Sequence, residues 1–401
     1  MLIDANNFHT FQPLLYQVAT AGLGEDDIAY AARGIFRRQP NVTFRMARVT
    51  SVDLEDRVVH VSAGTSVRYD TLIVAAGAVS NSFDVKGVDQ HGFPLKSVDD
   101  AIRLRNHVLA QFEDAAADPT NVAPGALGVV VCGGGPTGVE MAGGLIELFD
   151  HVLSKDFPQL DVGHARVVLV EAGDRLLGTF TPASGQRARA TLTKRGVEVI
   201  TGVGIAAVDE TSVVLADGRH IDAHTVVWAA GVRASPLAAA IGVPLTRGGR
   251  IVVGPDLSVP GHPGVFAIGD IAADAASPLP QVAQPAIQGG RFVAAQIIRR
   301  ISGAGDAAAL PAAVHTFEYH DKGSMATIGR HDAVAEFANG WRVSGPIGWL
   351  SWLGLHIVYL MGFRNRINVL VNWTWNYFTY DRAARLLGED DIERDEQAGP
   401  A

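Results

Sequence analysis

The chain has 401 residues and a single cysteine, Cys132. One cysteine excludes an internal disulfide framework, a two-cysteine redox centre and a multi-cysteine zinc or iron–sulfur site, so no metal site is predicted. Positive charge is not in excess either, because 33 Lys and Arg stand against 42 Asp and Glu, for a formal net charge of −9. Nucleic-acid recognition usually needs a basic face, so nucleic acid is not an expected partner. No charged segment precedes the apolar start at Met1, and no secretory signal is predicted.

Short apolar runs alternate with longer helical patterns over most of the chain. Such runs are found at 71–76, 129–131, 167–170 and 225–230. This alternation predicts an α/β fold with largely parallel sheets. At about 150 residues per domain the length allows two to three domains. A loop-like stretch at 118–125 and the Arg-Gly-Gly-Arg sequence at 247–250 predict boundaries near 124 and 249.

An internal repeat links two of these blocks. The sequence DTLIVAAG at 70–77 matches HTVVWAAG at 224–231, and LIDA at 2–5 matches LVEA at 169–172. Each copy has a further apolar run, at 58–61 and at 213–215, where a small antiparallel excursion is expected before the last strand. A duplicated supersecondary unit is the simplest explanation.

A glycine motif follows the apolar strand at 127–132 and opens a helical pattern. The motif is GGGPTG at 133–138. Gly133 permits the tight turn, Gly135 lets the backbone approach a pyrophosphate, and Gly138 allows close packing of helix on strand. The helix amino terminus then faces the phosphates. In this order of strand, loop and helix, the motif predicts a dinucleotide-binding domain.

The acidic residue Glu171 ends the next apolar strand. A carboxylate there can accept hydrogen bonds from the adenosine ribose diol and would repel a 2′-phosphate, which favours NADH over NADPH. The spacing from Gly138 is longer than usual, and Arg175 lies close enough in sequence to weaken the discrimination. The alternative is that Glu171 is simply an exposed carboxylate at a strand end.

A second strand, GVFAIGD at 264–270, runs into a Gly-Asp pair. It resembles the two-dinucleotide-binding-domain flavoproteins, in which this pattern holds FAD. The resemblance implies that Gly269 and Asp270 contact FAD, with Asp270 on the ribityl chain. It also implies that the strand-end glycines Gly77 and Gly231 bring backbone close to FAD and to NADH. By itself, Gly-Asp is also a common turn.

Five further segments bring a more specific resemblance, to the type II NADH dehydrogenases, which are single-chain NADH:quinone oxidoreductases. They are FQPLLYQVA at 11–19, AQPAIQ at 283–288, DKGSMATIG at 321–329, and the RNR and YDR sequences at 364–366 and 380–382. The resemblance covers nearly the whole chain. It implies hydride transfer from NADH to flavin, followed by two-electron reduction of a membrane quinone.

The same resemblance implies roles for four side chains. Gln284 and Gln288 would lie beside the isoalloxazine and the quinone, with Gln288 donating to a quinone carbonyl. Glu140 and Lys322 are candidates for the polar network that delivers protons to the reduced quinone. Each has a structural alternative: Glu140 as a first-turn carboxylate offsetting the helix dipole, Lys322 as a solvated lysine, and Gln288 as an amide in a core network. Cys132 is expected to be a buried packing residue.

The carboxyl end is chemically different, because five of the six tryptophans fall between residues 341 and 375. An 18-residue run without formal charge, 346–363, precedes Arg364 and Arg366, and a second uncharged segment covers 367–380. Aromatic residues flanked by arginines are typical of an interfacial anchor. We therefore predict two helices lying in the membrane surface. The alternatives are a single membrane span and a buried helix at an interface or in the core. The residues from 389 onward are predicted to be a solvated acidic tail.

The first repeat lacks the strand, glycine loop and helix that residues 127–148 supply to the second. Asp4 would still face an adenosine ribose, but without a phosphate loop beside it. This pattern suggests a truncated or mis-started version of a longer chain. One alternative is therefore an NADH-binding membrane protein that has lost its flavin. A further alternative is a flavoprotein that reduces a small redox protein.

The predicted fold is therefore α/β, with two Rossmann-like dinucleotide-binding domains and a membrane-anchoring helical end. The FAD domain, at 1–124 and 249–330, is split around an NADH domain at 125–248. A membrane-associated region at 331–388 and the tail at 389–401 follow. We predict a non-proton-pumping enzyme on the cytoplasmic face of the membrane, with FAD as cofactor and a quinone as partner. The sequence does not decide the oligomeric state, and a homodimer is one option.

Overall fold

The computed structural model describes residues 1–62, 64–161, 165–302, 316–382 and 384–388. The predicted acidic tail, 389–401, lies outside the described residues. The chain forms two compact units. The first unit comprises Met1–Asn7, Ile35–Val79 and Val232–Lys322, and the second unit comprises Phe8–Gly34, Ser80–Gly231 and Gly323–Ala401.

The strands are, in chain order, β1 (Leu2–Asp4), β2 (Phe8–Thr10), β3 (Ala29–Ala31), β4 (Phe44–Met46), β5 (Val49–Asp53), β6 (Val58–Val61), β7 (Thr65–Arg68), β8 (Leu72–Val74), β9 (Ala78–Ser80), β10 (Gly92–Pro94), β11 (Val129–Cys132), β12 (Val167–Glu171), β13 (Glu198–Thr201), β14 (Ile205–Val208), β15 (Ser212–Leu215), β16 (His220–Asp222), β17 (Thr225–Trp228), β18 (Val232–Ala234), β19 (Ile251–Val252), β20 (Val265–Ala267), β21 (Ala272–Ala273), β22 (Ser324–Thr327), β23 (Ala333–Glu336) and β24 (Arg342–Ser344).

The helices are α1 (Leu15–Ala19), α2 (Glu25–Ile28), α3 (Ala32–Phe36), α4 (Val88–His91), α5 (Val98–Ala117), α6 (Pro136–Leu148), α7 (Ser154–Asp156), α8 (Pro182–Lys194), α9 (Leu237–Ala240), α10 (Ala283–Ser302), α11 (Gly345–Tyr359) and α12 (Phe363–Thr379). A π-helical turn, Phe149–Leu153, continues α6, and a 3₁₀ turn, Gly269–Ile271, follows β20.

A five-stranded parallel sheet, in the order β10–β17–β11–β12–β13, is the centre of the second unit. Its inner strands are buried on both faces, which explains their unbroken apolar sequence. Successive side chains point to opposite faces, so Val129 and Val131 enter one core while Val130 and Cys132 enter another. Burial raises the pKa of the Cys132 thiol, as expected of a packing residue.

The predicted antiparallel excursions are present in both units. In the first unit, β5, β6 and β7 form an antiparallel sheet before β8, and in the second, β14, β15 and β16 do so before β17. The strands β1 and β4 pair in parallel, as do β12 and β13, their counterparts in the repeat. The internal repeat is therefore present in the fold.

The two copies differ in the centre of their sheets. In the second unit β11 lies between β17 and β12, whereas no described strand of the first unit pairs with both β8 and β1. Leu2 and Ile73 are 40% and 39% exposed, but Leu169 and Val227 at the matching positions are fully buried. The strand and helix that cover these positions in the second unit thus have no described counterpart in the first.

Candidate functional site

The glycine loop joins β11 to α6 in the second unit. Gly133 has a φ of +104°, and a Cβ there would lie 2.7 Å from the carbonyl oxygen of Ala229. A Cβ on Gly138 would lie 1.8 Å from the carbonyl oxygen of Gly133, so the helix can approach the strand only with glycine at this position. By contrast, a Cβ on Gly135, the N-cap of α6, would meet nothing within 4 Å. The loop thus leaves open space beside Gly135, at the helix amino terminus.

Glu171 lies at the end of β12 and its carboxylate faces this loop. Oε2 accepts a hydrogen bond of 2.5 Å from the Gly134 amide, and Oε1 accepts one of 2.6 Å from the Gly173 amide. These bonds hold the carboxylate in place but leave further lone pairs, since an ionised carboxylate has about four acceptor positions. Gly231 ends the repeated AAG sequence, and its carbonyl oxygen accepts a 3.1 Å hydrogen bond from the Asn81 amide.

Glu140 lies on the first turns of α6 and is only 9% exposed. Its Oε1 accepts a 3.2 Å hydrogen bond from the Thr327 amide of β22, and Trp352 of α11 is close by. Burial raises the pKa of Glu140 from its ordinary 4.5 to about 8, against the lowering effect of the hydrogen bond from the Thr327 amide. The side chain is therefore mostly a neutral carboxylic acid near pH 7, and can donate a proton.

A chain of buried polar and aromatic side chains adjoins Glu140. Tyr16 is buried, and its pKa is raised well above 10 by burial and by the charge of Glu140. Gln17 donates to the Tyr16 hydroxyl at 2.8 Å and accepts a 2.7 Å bond from the Trp373 indole. The Trp352 ring stands edge-on to Tyr16. Sequence reasoning placed Tyr16 in a family segment but assigned it no role, because only the fold brings it beside Glu140.

His356 extends the same cluster along α11. Its ring stacks on Trp352 at 3.9 Å between centroids, and Nδ1 lies 2.6 Å from the Trp352 carbonyl oxygen. Burial lowers the pKa of His356 to about 4, so the ring is neutral at pH 7. With Nδ1 hydrogen-bonded to a carbonyl, Nε2 is the acceptor.

The helices α11 and α12 carry the exposed apolar side chains predicted for the carboxyl end. Among the described residues no helix is both long and apolar enough to cross a bilayer. Exposed members of this surface, which we call the apolar face, are Ile347, Leu350, Leu355, Val358, Phe363, Leu370, Val371, Trp375 and Phe378. An exposed apolar surface of this extent indicates an interaction with a membrane or another apolar partner.

The predicted start of the second helix is corrected by the structure. The uncharged segment begins at Ile367, but α12 begins at Phe363, after Gly362 with a φ of +85°. Arg366 lies inside the first turn and donates to the carbonyl oxygens of Leu360 and Val358 at the end of α11. The charge pattern misses this boundary because Arg366 caps the end of α11 while it belongs to α12.

Asn365 ties α12 to the α2 region. Its Nδ2 donates to the carbonyl oxygens of Asp26, Asp27 and Ala29 at 2.9, 3.0 and 3.0 Å, in a buried position. Asn365→Ala would leave these carbonyls unsatisfied, so we expect the free energy of unfolding to fall by about 1–3 kcal/mol. Chemical denaturation monitored by tryptophan fluorescence measures the loss. The control is Thr374→Ala, an exposed change on the same helix; equal stability of both variants would contradict the role of Asn365.

The first unit contains the residues that the resemblance assigns to FAD. Gly77 has a φ of +66° with open space around a Cβ, and Gly269 has a φ of +70° with its Cβ position 3.0 Å from Ala286 of α10. Asp270 lies in the 3₁₀ turn after β20, and Asp4 ends β1, where it accepts from the Asn6 amide. These strand ends and exposed backbone fit an extended nucleotide cofactor.

Arg250 is a residue of this region that sequence reasoning missed. Burial lowers the pKa of its guanidinium, while the charge of Asp270 raises it. Nη1 donates to the Leu279 carbonyl oxygen, whereas Nε is buried without a hydrogen-bond partner among the described residues. An unsatisfied buried donor near Asp270 is a further feature that fits a phosphate-bearing cofactor.

The two glutamines lie one turn apart on α10, also in the first unit. Gln288 forms a paired contact with the backbone of His320: Nε2 donates to its carbonyl oxygen at 2.9 Å and Oε1 accepts from its amide at 3.0 Å. Nε2 also lies 3.3 Å from Oε1 of Gln284. Lys322 is exposed. Donation from Gln288 to a ligand would therefore replace one of these contacts.

No group of three or more potential metal ligands is found in the part of the chain that the structure describes. The second unit contains a dinucleotide loop and a buried acid, and the first unit contains a second nucleotide-type fold. That combination defines the class of two-domain pyridine-nucleotide flavoproteins. The family model described as pyridine nucleotide-disulphide oxidoreductase matches residues 1–290, and the model described as NDH2 C-terminal domain matches residues 321–380.

Curated relatives make the family more specific. The chain is 42% identical over 394 residues to the type II NADH:quinone oxidoreductase Ndh of Mycobacterium tuberculosis, covering 95% of this chain and 83% of that protein. It is 33% identical over 340 residues to the type II NADH:quinone oxidoreductase of Staphylococcus aureus, covering 83% and 81%. The chain belongs to the type II NADH:quinone oxidoreductase family. The predicted family, fold class and oxidoreductase class are thereby confirmed.

Solved structures agree in fold. NDH2 from Plasmodium falciparum in complex with NADH has a TM-score of 0.85 at 20% identity, over 96% of this chain and 94% of that one. A sulfide:quinone oxidoreductase from Aquifex aeolicus has a TM-score of 0.69 at 16% identity, over 94% and 88%. The α/β fold with a helical carboxyl-terminal domain is common to this chain and the first of these structures. The family implies a flavin and a pyridine nucleotide.

Proposed function

We propose that this chain oxidises NADH and passes two electrons through bound FAD to a quinone at the membrane surface, without pumping protons. The observation that carries the proposal is the double role of α6. Its amino terminus borders the open space at Gly135, and Glu140, a little further along, is buried as a neutral acid against β22 and beside α11. One rigid helix thus connects a nucleotide loop with a proton donor next to the apolar carboxyl end.

For the nucleotide, we propose that Gly133, Gly135 and Gly138 hold the pyrophosphate and Glu171 the adenosine ribose of NADH. Gly231 would let the backbone approach the cofactor. The Glu171 carboxylate would repel a 2′-phosphate, so NADH is preferred to NADPH. For FAD, the proposed contacts are Asp4, Gly77, Gly269 and Asp270. FAD supplies a two-electron acceptor and donor, and the protein positions it and excludes water.

For the quinone, we propose Gln284 and Gln288 as amides near the head group and Glu140 with Lys322 as the proton-delivery network. A quinone that accepts two electrons also needs two protons, so a neutral acid beside it lowers the barrier. The proposal also includes domain boundaries near 124 and 249, which separate the NADH domain from the two parts of the FAD domain. A membrane-associated region begins at 331. Both relatives are named NADH:quinone oxidoreductases, which supports quinone as the electron acceptor.

The test is NADH oxidation by the protein in membranes, with and without a short-chain quinone. We expect NADH consumption to depend on quinone, and the purified protein to absorb as a flavoprotein. Rapid oxidation with a small soluble redox protein and no response to quinone would instead support the alternative reductase. A colourless protein that binds NADH but oxidises none would support the flavin-free alternative.

We further propose that the apolar face lies on the cytoplasmic surface of the membrane. Phe363 and Phe378 are among its most exposed side chains. Replacing both with Asp should weaken binding to phosphatidylcholine vesicles at least ten-fold, because burial of one Phe contributes about 1.5–3 kcal/mol. Vesicle co-sedimentation measures this. Leu245→Asp, at an exposed apolar position of the first unit, is the control, and unchanged binding of the double variant would reject the proposal.

A further inference from the structure

A cleft of about 800 Å³ lies between α8 and the turn that joins β22 to β23. Arg187, Lys194 and Arg195 line it from α8, and Arg330 and His331 line it from the turn. A smaller cavity of about 210 Å³ adjoins it and shares Arg195, Arg330 and His331. The proposed reaction uses none of these side chains.

The larger cleft carries an excess of positive charge among its lining side chains. Asp332 accepts from Arg187 Nε at 2.8 Å and from the Thr191 hydroxyl at 2.7 Å. Glu147 pairs with Arg195 and, at 3.7 Å, with Arg382. The larger cleft is lined by four cationic side chains, Arg187, Lys194, Arg195 and Arg330, and by one carboxylate, that of Asp332, whereas Glu147 and Asp150 line the smaller cavity. This balance suits an anion.

The cleft adjoins one end of the helix pair α11 and α12. Arg330 donates to the carbonyl oxygens of Asn376 and Tyr377, at the end of α12, at 2.6 and 2.9 Å. The His331 ring lies 5.4 Å from Trp349, near the start of α11, and 5.1 Å from Tyr377. Trp349 and Tyr377 themselves lie 5.9 Å apart. The basic side chains are thus directly beside the point where α11 begins and α12 ends.

Exposed apolar side chains occupy this same end. Ile347 and Leu350 belong to the first turns of α11, and Phe378 follows Tyr377 with its ring 5.1 Å away. A bilayer in contact with these side chains would bring its headgroups level with the cleft. Aromatic residues at headgroup depth next to arginine and lysine are the usual arrangement at a membrane surface.

We propose that this cleft binds the phosphate-bearing headgroup of an anionic phospholipid. The inference rests on the proposed contact between the apolar face and the membrane. Guanidinium groups match phosphate oxygens in geometry and charge, and the cleft volume lies in the range of small-ligand sites. Free phosphate shares this chemistry, but the adjoining apolar face favours a lipid, whose chains it would cover.

The test measures binding of the full-length protein to vesicles of phosphatidylcholine alone and of phosphatidylcholine mixed with phosphatidylglycerol. We expect the anionic lipid to increase binding. Gln186 and Lys194 are both at exposed positions lining the cleft. Gln186→Glu changes the charge by one unit and should reduce that increase about five-fold, and Lys194→Glu changes it by two units and should reduce it about twenty-five-fold, since each charge near the surface has about a five-fold effect. Arg189→Glu, on the same helix but outside the cleft, makes the same charge change as Lys194→Glu and should have little effect.

The outcomes separate the two proposals. If the protein does not bind phosphatidylcholine at all, the membrane contact of the apolar face is wrong. If the protein binds phosphatidylcholine but phosphatidylglycerol does not increase the binding, the proposed headgroup site is wrong. The site is also wrong if Arg189→Glu reduces the increase as much as Lys194→Glu does. A calorimetric titration with inorganic phosphate adds a third arm: tight phosphate binding that Lys194→Glu removes, without any effect of anionic lipid, would show a site for free phosphate and overturn the lipid proposal.

Discussion

Glu140→Gln is expected to slow the reoxidation of the reduced enzyme by a short-chain quinone about a hundred-fold. The amide keeps an acceptor for the Thr327 N–H, so the local fold should persist, but it cannot supply a proton. General acid catalysis commonly contributes about 10²–10⁴-fold, which sets the size of the loss. Stopped-flow absorption follows the two half-reactions separately.

Reduction of the enzyme by NADH should be unaffected in this variant, because the proton donor is proposed to act on the quinone alone. The control is Asp150→Asn, which removes a carboxylate from the π-helical continuation of α6. A normal quinone rate in Glu140→Gln would reject the proton-donor role. Loss of both half-reactions together would instead indicate damage to the fold.

The same substitution should change how stability depends on pH. The pKa of Glu140 is about 8 in the folded chain and 4.5 as its ordinary value. Between these values the folded chain holds a proton that the unfolded chain has released. The stability contribution of Glu140 is therefore fully present below about pH 4.5 and is lost as pH rises through about 8, by about 1.4 kcal/mol per pH unit. Relative to the wild type, Glu140→Gln should become more stable across this window in denaturation curves.

Gly135→Ala is expected to weaken NADH binding at least ten-fold without changing thermal stability. The added methyl group meets no protein atom within 4 Å, and the backbone of Gly135 is in an extended conformation that alanine adopts freely. It would project into the space proposed for the pyrophosphate, where close approach of the backbone is required. Steady-state kinetics would show a higher KM for NADH.

Two further glycine variants separate binding from folding. Gly138→Ala would place a Cβ 1.8 Å from the Gly133 carbonyl oxygen, so it should lower the melting temperature as well as activity. Gly178→Ala also meets open space but lies outside the loop, and should change neither property. If Gly135→Ala binds NADH as tightly as the Gly178→Ala control, the loop is not the pyrophosphate site.

Several elements could be predicted from sequence because their signals are local. A continuous valine run predicted the buried strand β11, and glycines with the spacing of 133, 135 and 138 predicted a strand–loop–helix. The repeat of 70–77 in 224–231 predicted corresponding strands in two units, each preceded by an antiparallel excursion. Periodicity and turn chemistry depend on near neighbours in sequence, so they are readable without a structure.

The protonation state and hydrogen-bond partners of the site residues could not be predicted from local sequence signals. Glu140 and its partner Thr327 are 187 residues apart, and only the packing of such distant segments buries the carboxyl group, which raises its pKa. Gln288 was assigned from sequence to a quinone carbonyl or to a core network, and neither assignment named the backbone of His320, with which its side chain is paired. Partners at such separations leave no pattern in either local sequence.

The sequence by itself determined the parallel-sheet architecture, the dinucleotide loop, the buried state of Cys132 and the apolar, aromatic character of the carboxyl end. Only the tertiary structure decided that Glu140 is a neutral acid, that Asn365 locks α12 to the α2 region, and that Arg187, Arg195 and Arg330 converge on one cleft. The physical reason is the separation along the chain over which each effect acts. Periodicity acts over a few residues, whereas burial and electrostatics depend on which distant segments the packed core brings together.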